Sequence, residues 1–288
     1  MDIESHFHQL QSNHWQIRIA GNPTISNTDF NHYYFHQGVG VFSGPASQFS
    51  SPHVNVLKKQ DKSKAKLRIN NILRLVRGIN EICEYRNVYL SPGEMTHINS
   101  DGSHEKIDGL TDSYDIDLFF EELNNPFDND ITSLIQEIGV VESKENDYFN
   151  LLVINPLLRE AVTLFMLSEE NTLYLLINTY KIMENIKSEF NLKLNNGKLA
   201  KKDDSSIDDN LLNLVNTLYG HSRYINSKAA SGYLSRHGGE TIFEPPKEWP
   251  TIKEVREDLI KVIRFWLDHE CFLNYERRYY EDTDMKNN

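Results

Sequence analysis

The sequence predicts an α+β protein, with a small N-terminal α+β domain over residues 1–125 and an all-α helical bundle over residues 126–288. Two observations carry this prediction. Up to about residue 125, short apolar runs alternate with polar residues and are broken by Gly, Pro, Asn and Asp, which is the two-residue period of strands. Beyond it, apolar residues recur at three- and four-residue steps almost throughout, the period of a helix with one buried face.

In the N-terminal part, Trp15, Ile17 and Ile19 alternate with Gln16 and Arg18, predicting a half-buried strand that ends at Gly21-Asn22-Pro23. Tyr33 to Val41 is a second extended stretch, weakened by Gly38 and Gly40. Ser43 to Pro52, rich in Gly, Pro and Ser, reads as a loop. Ile69, Ile72, Leu73, Val76, Ile79 and Cys83 then form one stripe of a helix, with Lys66, Asn70, Arg74 and Arg77 opposite. A strand over Asn87 to Leu90 is expected next, followed by a turn at Ser91-Pro92-Gly93. Asn99-Ser100-Asp101-Gly102 reads as the turn of a hairpin returning through Lys106 and Ile107. The acidic stretch to Asp130 carries Ile116, Leu118, Phe119 and Phe120, predicting a short helix and a boundary near Pro126.

In the C-terminal part a short helix is expected from Ile131 to Val140. Asn155 caps the next, with Pro156 at its first position, and that helix runs through Leu167. Asn171 to Phe190 is the most regular, with Leu173, Leu176, Tyr180 and Met183 on one face. Residues 191–209, polar and containing Asn196-Gly197, read as a mobile loop. A helix from Asp209 to Tyr219 stops at Gly220, read as a left-handed terminator. The last helix opens at a capping box, Thr251 with Glu254, and buries Ile252, Val255, Leu259, Val262 and Trp266. No strand longer than three residues is expected beyond about residue 130.

There is no run of eighteen apolar residues and the first residues are polar, so neither a membrane span nor a signal peptide is expected. Two distant cysteines, Cys83 and Cys271, suit a reducing cytoplasm. A net charge of -12 argues against a protein that coats nucleic acid over its whole surface, but the charge is uneven. Residues 58–77 hold Lys58, Lys59, Lys62, Lys64, Lys66, Arg68, Arg74 and Arg77 against Asp61 alone, whereas residues 101–130 hold ten acids against Lys106 alone. The basic helix reads either as a phosphate-tracking face, with Lys64, Arg68 and Arg74 as nucleic-acid ligands, or as a charged face paired with the acidic stretch. Tyr33, Tyr34 and Phe35, beside His32 and His36, read either as base-stacking groups or as core. His6 with His8, and His32 with His36, have ligand-like spacing but join no Cys or carboxylate cluster, so no metal and no cofactor are expected. No phosphate-binding glycine loop, Gly-x-Ser-x-Gly elbow or His-Glu-x-x-His occurs, which disfavours ATP use, serine hydrolysis and zinc proteolysis.

The irregular segment from His221 to Pro250 concentrates His221, Arg223, Asn226, Lys228, Arg236 and His237. It reads as a connector whose Arg and His cap nearby carbonyls, or as a site of proton and phosphate chemistry. Its Arg236-His237-Gly238, the proline-rich stretch after it and the capped helix through Trp266-Leu267-Asp268 resemble a group of uncharacterised bacterial two-domain proteins. More distantly they are similar to the HEPN helical domains of toxin–antitoxin and abortive-infection proteins. That resemblance implies a dimer whose motifs face one another, with a histidine for proton transfer and an arginine that steadies the phosphate during metal-independent RNA cleavage. His237 with Gly238 matches the His-Gly end of the motif. The family places the arginine four to six residues earlier, whereas here Arg236 adjoins His237 and Arg223 lies fourteen positions before it.

The expectation is a cytoplasmic, nucleic-acid-directed effector of bacterial antiviral defence or toxin type, an RNA-binding nuclease with His237, Arg236, Arg223 and His221 as catalytic candidates. Lys228 joins Lys64, Arg68 and Arg74 as a nucleic-acid ligand. RNA supplies its own 2′-hydroxyl nucleophile, so a base near neutral pKa and a cation suffice. The alternative is a non-enzymatic interaction or regulatory protein that dimerises through its helical domain and recognises a protein partner.

Overall fold

Strand β1 (His14–Ala20) is the middle strand of a five-stranded antiparallel sheet, because it buries Trp15, Ile17 and Ile19 on one face and still pairs on both edges. The computed structural model describes residues 14–20, 32–38, 46–84, 91–107, 115–139, 142–237 and 244–280. It is an α+β protein whose chain divides into two compact units, 1–149 and 150–288.

In the first unit the strand order is β2 (Tyr34–Gly38), β3 (Ala46–Ser50), β1, β4 (Ser91–Ile98), β5 (His104–Lys106). Two expected non-strand segments are strands. The loop read over Ser43 to Pro52 contains β3, which pairs with β1 through Ile17↔Phe49 and buries Phe49 completely. Its serines act in the sheet: Ser50 Oγ donates to the Trp15 carbonyl at 2.6 Å, and Ser51 caps the short helix α1 (Pro52–Asn55). The expected turn at Ser91-Pro92-Gly93 is the start of β4, opposite a register shift in β1 between Ile17 and Ile19. A bulge tolerates both residue types, and a Cβ on Gly93 would stand 3.1 Å from the Arg18 carbonyl oxygen. The hairpin over Asn99 to Gly102 forms as expected, with His97↔Glu105 in register. Gly21 to Pro23, Gly40, Val41 and Asn87 to Leu90 lie outside the described residues.

Helix α2 (Lys62–Glu84) buries Ile69, Ile72, Leu73, Val76, Ile79 and Cys83 as the spacing predicts. Asp115 caps α3 (Ile116–Asn124) and Asp128 caps α4 (Asn129–Ile138). The division between the two units falls at 149/150, inside α5 (Lys144–Ile154), whereas the sequence predicts a boundary at 125/126. The reason is aromatic packing: Phe127 and Phe149 meet His32, His53 and Tyr33 edge-on or tilted, at centroid distances of 4.8–6.1 Å. Burial of about 150 Å² or more per ring outweighs the Pro126 break signal.

In the second unit α6 (Pro156–Glu170) starts at Asn155, which accepts from the Leu158 amide, and packs along α7 (Leu175–Glu189). The regular helix expected from Asn171 begins later. Asn171 caps a 3-10 turn over Thr172–Tyr174, leaving Leu173 58 % exposed and off the buried face. The all-helical expectation is corrected by a hairpin of β6 (Leu192–Asn195) and β7 (Lys198–Lys201), each four residues long. Asn196 and Gly197 both have positive φ, +49° and +80°, the pair required by a two-residue turn that matches strand twist. Leu192 and Leu199 are buried, and Asn216 of α8 (Asp209–Gly220) holds Leu199 by both its amide and its carbonyl. Gly220 is not a left-handed terminator. The chain passes through a right-handed His221 into α9 (Ser222–Asn226), α10 (Lys228–Ser231) and a 3-10 turn over Gly232–Leu234, so the first part of the expected irregular connector is helical. The capping box at Thr251 and Glu254 opens α11 (Ile252–Tyr275), whose Val255, Leu259, Val262 and Trp266 are fully buried. Among the described residues no single helix is long and apolar enough to cross a membrane.

Candidate functional site

The catalytic candidates lie along residues 221–237 of the second unit, and the structure gives each a different setting. His221 follows the last turn of α8, its amide donating to the Leu218 carbonyl at 3.1 Å. Its Nε2 stands 2.8 Å from Asp258 Oδ2 on α11, with 17 % of the imidazole and 24 % of the carboxylate side chain exposed. A histidine whose Nε2–H is held by a carboxylate presents Nδ1 as its basic nitrogen. Arg223, two residues on, is exposed, as is Lys228. Arg236 donates its amide to the Ile225 carbonyl at 3.0 Å, and its guanidinium carbon lies 3.7 Å above the centre of the Tyr180 ring. His237 is half-buried and donates its backbone amide to Ser235 Oγ at 3.2 Å. Gly238 lies outside the described residues. At the junction of α9 and α10, Asn226 Oδ1 and Ser227 Oγ are buried without a hydrogen-bond partner.

Two partners were invisible in the sequence. Asp258 lies 37 residues after His221, and the sequence spacing puts Tyr180 on a packed helix face. The segment itself could be found from its density of His and Arg, but what completes each group arrives from another helix.

Two of the nucleic-acid candidates of the basic segment, Lys64 and Arg68, are neutralised within the first unit. Arg68 is buried and bidentate with Glu122, at 2.7 and 2.8 Å, and its third nitrogen donates to the His53 carbonyl at 3.0 Å. Lys64 meets Glu121 at 2.7 Å and Glu122 at 3.4 Å, and the Glu121 contact raises its pKa above the ordinary lysine value. Arg74 donates to Asn71. The charged-face reading therefore describes Lys64 and Arg68, which close α2 on α3. The core reading likewise describes Tyr33, Tyr34 and Phe35, all of them buried; burial pushes Tyr34 up to about 12.

His32 is also in this core. Its Nδ1 lies 2.8 Å from His53 Nε2, with the rings parallel to within 6°. The Asp128 amide donates to His53 Nδ1 at 2.9 Å, so His53 carries its proton on Nε2 and donates to His32. Burial, then the nearby His32 and Arg68, hold His53 well below the ordinary histidine pKa.

A second ionic cluster, which sequence reading missed, ties Arg278 and Tyr279 to α8 and α11. Asp208 caps α8 and accepts from His269 Nδ1 at 3.1 Å, and Arg278 lies 3.5 Å away. The bond from His269 holds the Asp208 carboxyl well below the usual carboxylate range, although burial opposes it. Asp268 accepts the Tyr279 amide at 2.6 Å. No group of three or more His, Cys, Asp or Glu among the described residues is placed to hold a metal ion, and His6 and His8 lie outside those residues. No family model, no curated protein and no solved structure matches this chain.

Proposed function

We propose that the protein is a nucleic-acid-directed effector of bacterial defence or toxin type, cytoplasmic, whose second unit cleaves RNA without needing a metal. The observation that carries this reading is the partly exposed His221 imidazole, oriented by Asp258 with the cation Arg223 two residues along the chain. Cleavage would begin as a proton moves from the RNA 2′-hydroxyl to His221 Nδ1 and the 2′-oxygen attacks phosphorus, while Arg223 offsets charge on the phosphorane. The P–O5′ bond then breaks, the imidazolium returns that proton to the 5′-oxygen, and a 2′,3′-cyclic phosphate remains. Positioned acid–base groups contribute on the order of 10²–10⁴ in rate. On this reading His221 is the leading acid–base group. Arg236, stacked on Tyr180, and Lys228 bind phosphate, and His237 with its uncharacteristic spacing is the weaker candidate. Two copies would face one another, as the resemblance to HEPN domains implies.

A second reading is favoured by a different observation. The 3-10 turns Thr172–Tyr174 and Gly232–Leu234 pack together and expose Leu173, Tyr174 and Tyr233, the last fully. Exposed aromatics of this kind mark interaction surfaces, which suits a non-enzymatic regulatory protein that dimerises or binds a protein partner.

The test is incubation of the purified chain with total RNA, with and without a chelator, alongside His221→Ala, Arg223→Ala and His237→Ala. The effector reading expects chelator-insensitive cleavage that falls at least about a hundredfold in His221→Ala without a lower melting temperature. RNA left intact by the parent protein would sink it in favour of the interaction reading.

A further inference from the structure

Two contacts with α8 fix the direction of the β6–β7 hairpin. Asn216 accepts the Leu199 amide at 2.8 Å and donates to the Leu199 carbonyl at 2.9 Å. Further along β7, Lys201 meets Asp209, the first residue of α8, at 2.6 Å. Strand β7 therefore runs antiparallel to α8. The Asn196-Gly197 turn before it points towards the C-terminal end of that helix, where His221 follows. The rise from Asn216 to His221 is about 7.5 Å, at about 1.5 Å per helical residue. From Leu199 back to the turn is about 7–10 Å, at about 3.3 Å per extended residue. The turn thus reaches the level of His221.

The two faces of the hairpin differ. Leu192 and Leu199 are buried on one, and the other carries Lys193, Asn195 and Lys198, all exposed. The register pairs Lys193↔Ala200 and Asn195↔Lys198, so the two lysines are diagonal neighbours and no acid shares their face. Diagonal neighbours stand about 7 Å apart. Lys201 is paired with Asp209, and Lys202 donates to Asn191 at 2.6 Å, both at the base of the hairpin. Asp204 also meets Asn191 there, at 2.6 Å. Lys193 and Lys198, by contrast, enter no ion pair or side-chain hydrogen bond among the described residues. Charge is therefore sorted along the hairpin, satisfied at its base and cationic towards its tip. The double hold of Asn216 on Leu199 keeps that tip in place, so a ligand need order little beyond the lysine side chains.

A partner must offer closely spaced anions that continue towards His221. Phosphodiesters repeat along an RNA strand and only accept, which matches ammonium groups that only donate. An acidic peptide also offers anions, but it gives the acid–base pair of His221 and Asp258 nothing to cleave. We infer that the tip of the hairpin is a phosphate-holding finger, on which Lys193 and Lys198 grip the RNA strand beside the bond that His221 acts on. The inference rests on the RNA-cleaving reading above. These lysines touch the backbone and not the reacting atoms, so they set affinity and register and leave the chemical step unchanged.

The full chain is titrated with a fluorescent ten-nucleotide oligodeoxyuridylate, which carries the phosphates but lacks the 2′-hydroxyl and so is not cut. Binding is read by anisotropy at several salt concentrations. Lys193→Glu with Lys198→Glu should raise Kd about tenfold. The slope of log affinity against log salt should fall by about 1.4, since each single-strand phosphate contact contributes about 0.7. Lys193→Gln with Lys198→Gln should flatten the slope equally and raise Kd less, because it removes charge without adding repulsion. Lys202→Gln, at the base, should stay within about twofold of the parent. In cleavage of oligouridylate, the paired Glu variant should raise KM about tenfold with kcat within about twofold, whereas His221→Ala lowers kcat. If the parent neither cuts oligouridylate nor binds either strand, the RNA reading falls and takes the finger with it. If the parent cuts and the lysine variants match it in Kd, salt slope and KM, the finger alone falls. Tighter binding of a ten-residue polyglutamate, lost in the same variants, would also overturn it in favour of an acidic protein partner.

Discussion

Both units contain a bidentate arginine–glutamate pair, and the two differ in their burial. In the first unit Arg68 and Glu122 are 8 % and 0 % exposed at the side chain, whereas in the second Arg256 and Glu169 are 32 % and 16 % exposed, at 2.7 Å through two nitrogens. The same chemistry therefore has different consequences. A buried charge that loses its partner keeps its full desolvation cost, while an exposed one is rehydrated. The first unit depends on its pair, and the second uses its pair as one contact among many.

The largest expected effect follows directly. Arg68→Met strips the buried Glu122 of its bidentate partner, leaving only Lys64 at 3.4 Å, and should destabilise the first unit by about 3 kcal/mol, read from urea unfolding. Adding Glu122→Leu should recover most of that loss, because two apolar side chains of similar volume carry no stranded charge. A double variant no more stable than the single one would break the comparison.

Acid should separate the units next. His53 is held neutral, so its contribution is fully present above its unfolded pKa of about 6.5 and is lost as pH falls towards its lower folded value. The loss is up to about 1.4 kcal/mol per pH unit for one group. Asp208 is also held low, but its unfolded pKa is about 3.9, so its contribution survives until pH falls below that. Hydrogen exchange at pH 7.5 and 5.5 should thus show protection falling in residues 46–84 and unchanged in residues 209–220. Equal loss in both segments would count against the buried imidazole pair as the cause.

Gly197→Ala should cost about 1 kcal/mol, since the left-handed φ of +80° is strained for a Cβ even though nothing lies within 4 Å of it. A variant as stable as the parent would mean that the hairpin contributes nothing to the second unit. The smallest effect is Arg256→Met, expected to cost no more than about 1 kcal/mol. A loss near that of Arg68→Met would erase the difference between the two pairs.

How much was legible varies element by element. The stripe of α2, the Asn155 cap and the Thr251 capping box were readable because each is a local rule met within a few residues. The hairpin β6–β7 was signalled by Asn196-Gly197 and hidden by the polar residues around it. Only two leucines, Leu192 and Leu199, are buried in it, and the helix α8 beside it supplies the rest of its support. Strand β3 was hidden because its serines resemble loop residues until Trp15 offers its carbonyl. In the candidate site, His221 and Arg223 were visible as residue types, while Asp258 was not, because its role depends on α11 returning beside α8.

By itself, the sequence determined the helix faces, the caps, the α+β class and the uneven charge, because periodicity and capping act over at most a few turns. Tertiary structure alone decided which charges survive as chemistry. It buried Arg68 on Glu122, set His53 against His32, gave His221 its carboxylate, and left Lys62 exposed at the start of α2. Desolvation and hydrogen-bond pairing depend on neighbours that lie 15 to 54 residues apart, and no local pattern records them.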